Sequence, residues 1–470
     1  MSELVDSYIL PSNSSLTSLD PLGITDSDDP TLWQVITASI SSFREDSSTL
    51  WDLPQLIEDL AYSLHGKGQV DTRLLRQYLN ETYPHPSSVV TKSLLDAILD
   101  AVLDLPALFP HSSILYLTDL NPMIELSQDQ IRSLIAHQIM GTLKPPQGNH
   151  WGCTFLCWYS EPQPLEHAVH GYLATVFHFF ELQCTTLRPT LYEFCSASVP
   201  LSLTTSPIWT TCDAPVFGHL IISPTLPSSV RFPHESVNCM LVSSNKSPGF
   251  GPACTQEELI TGACPALLPF GALLVSPPVP DNAALLARRV VPMSAWKGQG
   301  RNARLIEKLK SETEYTFLLL DALELDSLSD LEDPLVKLVD LVPDLLSREL
   351  HKAYVGFSAL RTRDIRQIAA PLWGAGAFGG DPVVKTIIMA MAGALTGVTV
   401  WVLVDTTRSL ATRSAPLQLI SVLTRLKEIC EGMTVKDVWG YLTTEQARGC
   451  FNGLGFVTML SSVPASRKTP

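Results

Sequence analysis

The stretch that most limits what this chain can fold into runs from Trp373 to Val404. It begins as the glycine-rich turn Trp373-Gly-Ala-Gly-Ala-Phe-Gly-Gly-Asp381, passes through Pro382, and ends in residues 386–404 (TIIMAMAGALTGVTVWVLV), nineteen positions without a charge. Nineteen apolar or small residues approach the length that spans a bilayer. The two halves differ, however. Helix formers dominate up to Leu395, Gly397 interrupts, and Val398–Val404 is β-branched and aromatic. A buried helix over 383–395 followed by a buried strand over 398–404 explains this better than a membrane span. Pro382 stands where a helix opens, since proline tolerates the first helical position. A glycine-rich turn running into a helix N-terminus is also an anion-binding arrangement, because backbone N–H groups and the helix dipole both favour negative charge.

Other segments extend this α/β pattern. His219–Ser223, Met240–Ser243, Ala272–Ser276 and Tyr315–Ala322 read as strands, a further short one surrounds Ile368, and Leu335–Tyr354 reads as a helix. Strands alternating with helices from about 200 to 460 give a largely parallel or mixed central sheet flanked by helices. The preceding part differs in texture. Between Thr31 and Leu143 apolar residues recur at helical spacing, as in Trp33, Ile36 and Ile40, or Leu94, Leu95, Ile98 and Val102. Ser127 and Gln130 form a capping box before the stripe Ile131, Leu134, Ile135 and Ile139. Residues 144–152 read as a loop, and Leu165–Phe180 reads as a helix carrying His167, His170 and His178. Those histidines have no carboxylate or cysteine at ligand spacing, so packed or surface imidazoles outweigh a metal site. The division expected is a flexible acidic tail at 1–30, an all-helical accessory domain at 31–187, an α/β domain at 188–460 and a polar tail at 461–470.

Charge narrows the partners. The chain of 470 residues carries a formal net charge of −15, which argues against direct nucleic-acid binding by bulk electrostatics. One region runs against that balance: between Arg288 and Lys310 lie seven basic residues and one acid, Glu307. Both a polyanion-facing surface and an ordinary solvated helix face are open for it. The ten cysteines form no C-x₂-C pair, so neither zinc nor a dithiol redox site is expected. With no apolar leader at the N-terminus, reduced thiols and a nuclear or cytoplasmic location are the expectation.

A second glycine-broken loop, Asn245-Lys-Ser-Pro-Gly-Phe-Gly-Pro-Ala-Cys-Thr-Gln-Glu-Glu258, joins Gly249 and Gly251 to Gln256, Glu257 and Glu258. Adjacent glutamates are usually solvated helix surface. Set after a loop whose backbone can approach an anion, they are also candidates for proton transfer. Two glycine-rich turns, one of them followed by carboxylates, suit a diphosphate-containing substrate beside an acid/base site.

These residues resemble the poly(ADP-ribose) glycohydrolase family of eukaryotes, in a divergent, fungal-type form. The resemblance rests on Gly249 followed after six residues by Gln256-Glu257-Glu258, on the turn Trp373–Asp381, on Arg348-Glu-Leu-His-Lys-Ala-Tyr-Val-Gly-Phe357, on the strand end Leu320-Asp-Ala-Leu323, and on Ser127–Ile135. It covers about 120–455. It implies a macrodomain-like α/β catalytic domain with a helical accessory domain, acting on poly(ADP-ribose) or ADP-ribosylated proteins, with no metal or other cofactor and no membrane attachment. The implied reaction is hydrolysis of ribose–ribose O-glycosidic bonds through an oxocarbenium-like transition state. Glu258 is then the acid/base and Glu257 its catalytic neighbour, which with Asn245 positions ribose hydroxyls. Gln256 lies beside them on the substrate, and Gly249, Gly251, Gly376, Ala377, Phe378 and Gly379 cradle the diphosphate. The chain departs from the family at Ser247 and Pro248, where glycines are usual, at Val242 and Leu372, at Pro227, and in Pro277–Leu286, which holds no aromatic residue. A homologue that binds ADP-ribose, or serves as a scaffold, without turnover is the alternative.

Overall fold

A computed structural model describes residues 7–18, 29–46, 48–65, 70–144, 154–182, 188–196, 207–225, 237–276, 278–298, 300–310, 312–328, 337–410 and 417–462. Pro227, Pro277 and residues 145–152 of the loop expected over 144–152 lie outside them. The chain divides into two compact units: Met1–Glu193 with Ser247–Pro278 and Ala287–Glu314, and Phe194–Lys246 with Val279–Leu286 and Tyr315–Pro470. The largest sheet has eight strands with mixed pairing, as expected.

The first unit is mainly helical. Its helices include Leu32–Glu45, Leu53–His65, Val89–Leu103, Gln128–Met140 and Glu166–Glu181. The Ser127/Gln130 capping box forms, and Gly141 closes that helix in the left-handed conformation. Ile36, Ile40, Leu94, Ile98, Ile131, Leu134 and Ile139 are buried, so the apolar stripes face the core. Short strands accompany these helices. Ser7–Ile9, within the segment expected as a flexible tail, pairs antiparallel with Ser113–Leu115, and Met123–Leu126 pairs with Thr190–Glu193. Runs of three or four residues are too short to show a period of two.

Two further differences have local causes. Ala272–Ser276, expected as a strand, falls in a π-helical turn, Phe270–Leu274. Leu273, Leu274 and Val275 are still buried, but Gly271 lies against Pro248, whose carbonyl oxygen a Cβ would approach to 1.7 Å. The basic region is not a helix face: Ser294–Lys297 and Arg304–Lys308 form an antiparallel hairpin.

An aromatic stack binds this unit together. Trp158 stacks on Phe155 at 4.6 Å and on Tyr172 at 5.2 Å, and Tyr172 meets Trp296 at 5.1 Å. Two helical glycines make room for it: a Cβ on Gly262 would lie 2.3 Å from Tyr172, and one on Gly171 would lie 2.4 Å from Trp296.

In the second unit five strands are parallel: β1 (Leu220–Thr225), β2 (Cys239–Ser244), β3 (Tyr315–Asp321), β4 (Gln367–Ala370) and β5 (Thr399–Asp405), in the order β3-β2-β4-β5-β1. Pro224 sits in β1 at the sheet edge, where a missing N–H is tolerated. The helix Pro382–Thr396 ends at Gly397 with φ 69° and is buried nearly all round, packing on β5 and on the helix Pro343–Arg361. Its apolar run is thus core. Among the described residues no helix is long and apolar enough to cross a membrane. The helix expected from Leu335 starts instead at Pro343, after a short 3₁₀ turn at Val339–Leu341, because proline fits the first helical position and breaks an interior.

The Gly262 contact gives a stability test. Alanine is the better helix former by about 1 kcal/mol. Tyr172 is hemmed between Trp158 and Trp296, so overpacking of about 1–3 kcal/mol should win. Gly262→Ala is expected to lower the thermal midpoint and weaken the near-ultraviolet dichroism of the stack; a raised midpoint would refute the packing argument.

Candidate functional site

The second unit brings several candidate residues to the C-terminal ends of adjacent parallel strands, where open α/β sheets bind ligands. β2, in the middle, ends at Ser244 and leads into Asn245, whose side-chain amide donates to Glu324 at 3.1 Å. β3 ends at Asp321, and β4 leads into the turn Trp373–Asp381. That turn is tied to its neighbours at two points. The Trp373 indole N–H donates to Leu320 O at 3.0 Å, and Gly374 N–H donates to Ser243 Oγ at 3.1 Å.

The turn leaves a row of amides open. Gly376, Ala377 and Gly379 are exposed and Phe378 is half-buried. Gly379 N–H donates to Gly376 O, and Phe378 O accepts from Leu325 N–H. The N–H groups of Gly376, Ala377 and Phe378 donate to nothing among the described residues. Arg408 donates to Ala375 O, which sets a cation beside these amides. Sequence reasoning missed Arg408, thirty-three residues further on. Successive free N–H groups next to a guanidinium make an anion cradle.

The helix N-terminus does not share that work, contrary to its sequence reading. Asp381 caps it: one carboxylate oxygen accepts from Val383 N–H at 2.9 Å and Val384 N–H at 3.2 Å. The other accepts from Gly453 N–H at 2.7 Å. The first-turn amides are satisfied by an acid of the chain itself.

Beneath the turn lies a buried charge network that sequence reasoning also missed. Lys385, fully buried, pairs with Glu349 and lies 3.7 Å from Asp340. Glu349 accepts from Leu323 N–H at 3.0 Å and from Arg348 at 2.7 Å. Arg348 also pairs with Asp321 and with Asp281, and Lys352 pairs with Asp321 and donates to Pro280 O. Asp340 accepts from Asp381 N–H at 3.1 Å. Burial pushes the Asp340 carboxyl up to about 6, against the pull of Lys385.

The first unit carries the carboxylates. Gln256, Glu257 and Glu258 open the helix Gln256–Ala263, and Thr255 caps it. Thr255 Oγ1 accepts from Glu258 N–H at 3.3 Å, while one Glu258 oxygen accepts from Thr255 N–H at 2.8 Å. This T-x-x-E capping box was present in the sequence and went unread. Glu258 is 2% exposed, and its other carboxylate oxygen has no hydrogen bond among the described residues. Glu257 is also buried and accepts from Gly249 N–H at 3.0 Å. The helix dipole favours a carboxylate at either position.

The loop before them is packed rather than open. Gly249, Phe250 and Gly251 are buried, Phe250 lies 4.8 Å from Trp158, and the Trp158 indole donates to Gly251 O. Gly249, expected to offer its N–H to a phosphate, gives it to Glu257. Cys254, buried with φ 57°, precedes the cap in a strained backbone. The histidines of the helix Glu166–Glu181 are dispersed: His178 bonds Glu181 and Leu309 O, and His170 faces Glu166 at 4.0 Å. No group of three metal-ligating side chains occurs among the described residues.

Comparison with protein-family models gives two matches. Residues 234–411 match the model described as poly(ADP-ribose) glycohydrolase, Macro domain fold, and residues 85–197 match its helical domain.

The network under the turn predicts a pH effect. The folded Asp340 binds its proton more tightly than the unfolded one, so its contribution to stability declines as pH rises from about 4 to about 6. That difference in proton affinity corresponds to about 3 kcal/mol. Relative to Asp340→Asn, the wild type should lose about that much stability between pH 4 and pH 7 in chemical denaturation. Parallel profiles would show that Asp340 does not carry the effect.

Proposed function

Since the chain belongs to the poly(ADP-ribose) glycohydrolase family, with its macrodomain fold and its helical domain, we propose that it hydrolyses the ribose–ribose O-glycosidic bonds of poly(ADP-ribose) and releases ADP-ribose. In this reading Glu258 protonates the departing 2′-oxygen as an oxocarbenium-like centre develops on the neighbouring ribose. It then takes a proton from the incoming water. The observation that carries the reading is the Glu258 carboxylate itself: buried, fixed through one oxygen by its own helix cap, and without a hydrogen bond at the other among the described residues. A carboxylate so held can exchange a proton without losing its orientation.

The remaining residues take supporting parts. Glu257, held by Gly249 N–H, orients ribose hydroxyls together with Asn245 and Gln256. The free amides of Gly376, Ala377 and Phe378, with Gly379 completing the turn, take the diphosphate, and Arg408 adds its charge. Gly249 and Gly251 act by placing Glu257 rather than by touching phosphate. No step requires a metal.

A second reading, an ADP-ribose-binding homologue without turnover, draws on that same loop. Pro248 stands where the family has glycine, and Gly249 has already committed its N–H.

Automodified poly(ADP-ribose) incubated with the full chain separates the two. Release of free ADP-ribose is expected, falling about 10²–10⁴-fold in Glu258→Gln while ADP-ribose affinity stays unchanged. Wild type that binds ADP-ribose and releases none would establish the second reading.

A further inference from the structure

The basic region between Arg288 and Lys310 has no part in the site described above. In the fold three of its seven cations are neutralised: Arg288 pairs with Glu193, Arg289 with Glu125, and Lys308 with Glu181. The other four, Lys297, Arg301, Arg304 and Lys310, are exposed and make no ion pair with any acid among the described residues. In a chain of net charge −15 that is a local reversal of sign.

The reversal sits on a rigid base. Trp296 is buried against Tyr172 and the Gly171 backbone, and its indole donates to Ser294 Oγ at 3.0 Å. The Ser294 hydroxyl in turn accepts from Thr175 at 2.8 Å. The hairpin is thereby pinned to the helix Glu166–Glu181. Arg304 is pre-set by donating to Arg301 O at 2.9 Å and Ala303 O at 2.7 Å.

The arrangement also sets two like charges opposite each other across the hairpin. Lys297 and Arg304 are direct cross-strand partners, and Arg304 abuts the His167 ring. Like charges placed opposite each other destabilise a hairpin. Natural proteins break such local rules chiefly at functional sites.

We infer that this hairpin is a binding strip for the backbone of the polymer, in which Lys297, Arg301 and Arg304 engage diphosphates of repeats other than the one being cleaved. The occupant follows from charge complementarity: an anion between Lys297 and Arg304, which the register sets opposite each other, replaces a like-charge pairing with two attractive ones. A flexible chain with a diphosphate in every repeat can lie along it while its end is processed. The inference rests on the polymer reading of the preceding subsection.

The test compares full-length wild type with Lys297→Glu/Arg301→Glu. It measures binding to long poly(ADP-ribose) and to ADP-ribose across a salt series, together with thermal midpoints and polymer cleavage. The double variant should bind long polymer about tenfold or more weakly, with a salt slope shallower by about 1 to 1.5. ADP-ribose affinity and the midpoint should stay unchanged. Unaltered polymer affinity in a protein whose wild type cleaves polymer would overturn this inference alone. An equal loss for ADP-ribose would also overturn it, as would single-stranded DNA of matched phosphate number binding the wild type as tightly as the polymer. Wild type that neither binds nor cleaves polymer would overturn both readings.

Discussion

The turn Trp373–Asp381 is built around one side chain. Lys385 runs beneath it: a Cβ on Gly380 would lie 2.4 Å from the lysine Cε and one on Gly374 3.2 Å away, and the ammonium stands 5.5 Å from the Trp373 ring. The lysine is in the first turn of a helix, where the dipole disfavours a cation, and it is fully buried. It is tolerable only because Glu349 and Asp340 meet it. A buried ion pair of this kind adds little net stability, yet removing one partner strands the other at a cost of about 3–5 kcal/mol. Its effect is geometric: with Arg348, Asp321 and Lys352 it fixes where β3, the helix Pro343–Arg361 and the glycine turn lie in the second unit.

The same logic links other local conflicts. Cys254 holds a left-handed backbone although it is not glycine, and it immediately precedes the cap that orients Glu258. Gly271 admits the Pro248 backbone at a distance no side chain allows, which keeps the loop shut against the first unit's core. Glu257 and Glu258 are buried acids at a helix start, one held by a loop amide and the other by its own cap. Each arrangement costs some local stability, and each lies next to a residue assigned a part in the chemistry.

Much of this was legible in the amino-acid order. The buried helix and strand after Pro382 could be read because charge is lacking over 386–404, Gly397 breaks the run, and β-branched residues follow it. The Ser127/Gln130 cap could be read because both partners lie within one helical turn. Local signals also went unread: Thr255–Glu258 is the same kind of box, Pro343 marks a helix start, and Asp381 before Pro382 announces a cap that fills the helix N-terminus. Other features were out of reach. Asp281, Asp321, Arg348 and Lys385 meet only through tertiary packing, and their types alone do not pair them. Nor does the sequence say which amides of a glycine-rich segment are used internally: Gly249 spends its N–H on Glu257, while Gly376 keeps its own free.

The bond from Gly453 to Asp381 has a consequence for how such a protein is made. During synthesis from the N-terminus, the turn and the first residues of its helix emerge well before the residue that completes their cap. Until position 453 leaves the ribosome, one oxygen of Asp381 lacks its partner, and the space beside Val383 that a side chain at 453 would overfill stands open. The cap that closes the glycine-rich turn is therefore completed only after residue 453 has emerged, and a nascent chain stalled short of that point would carry the turn without its finished support.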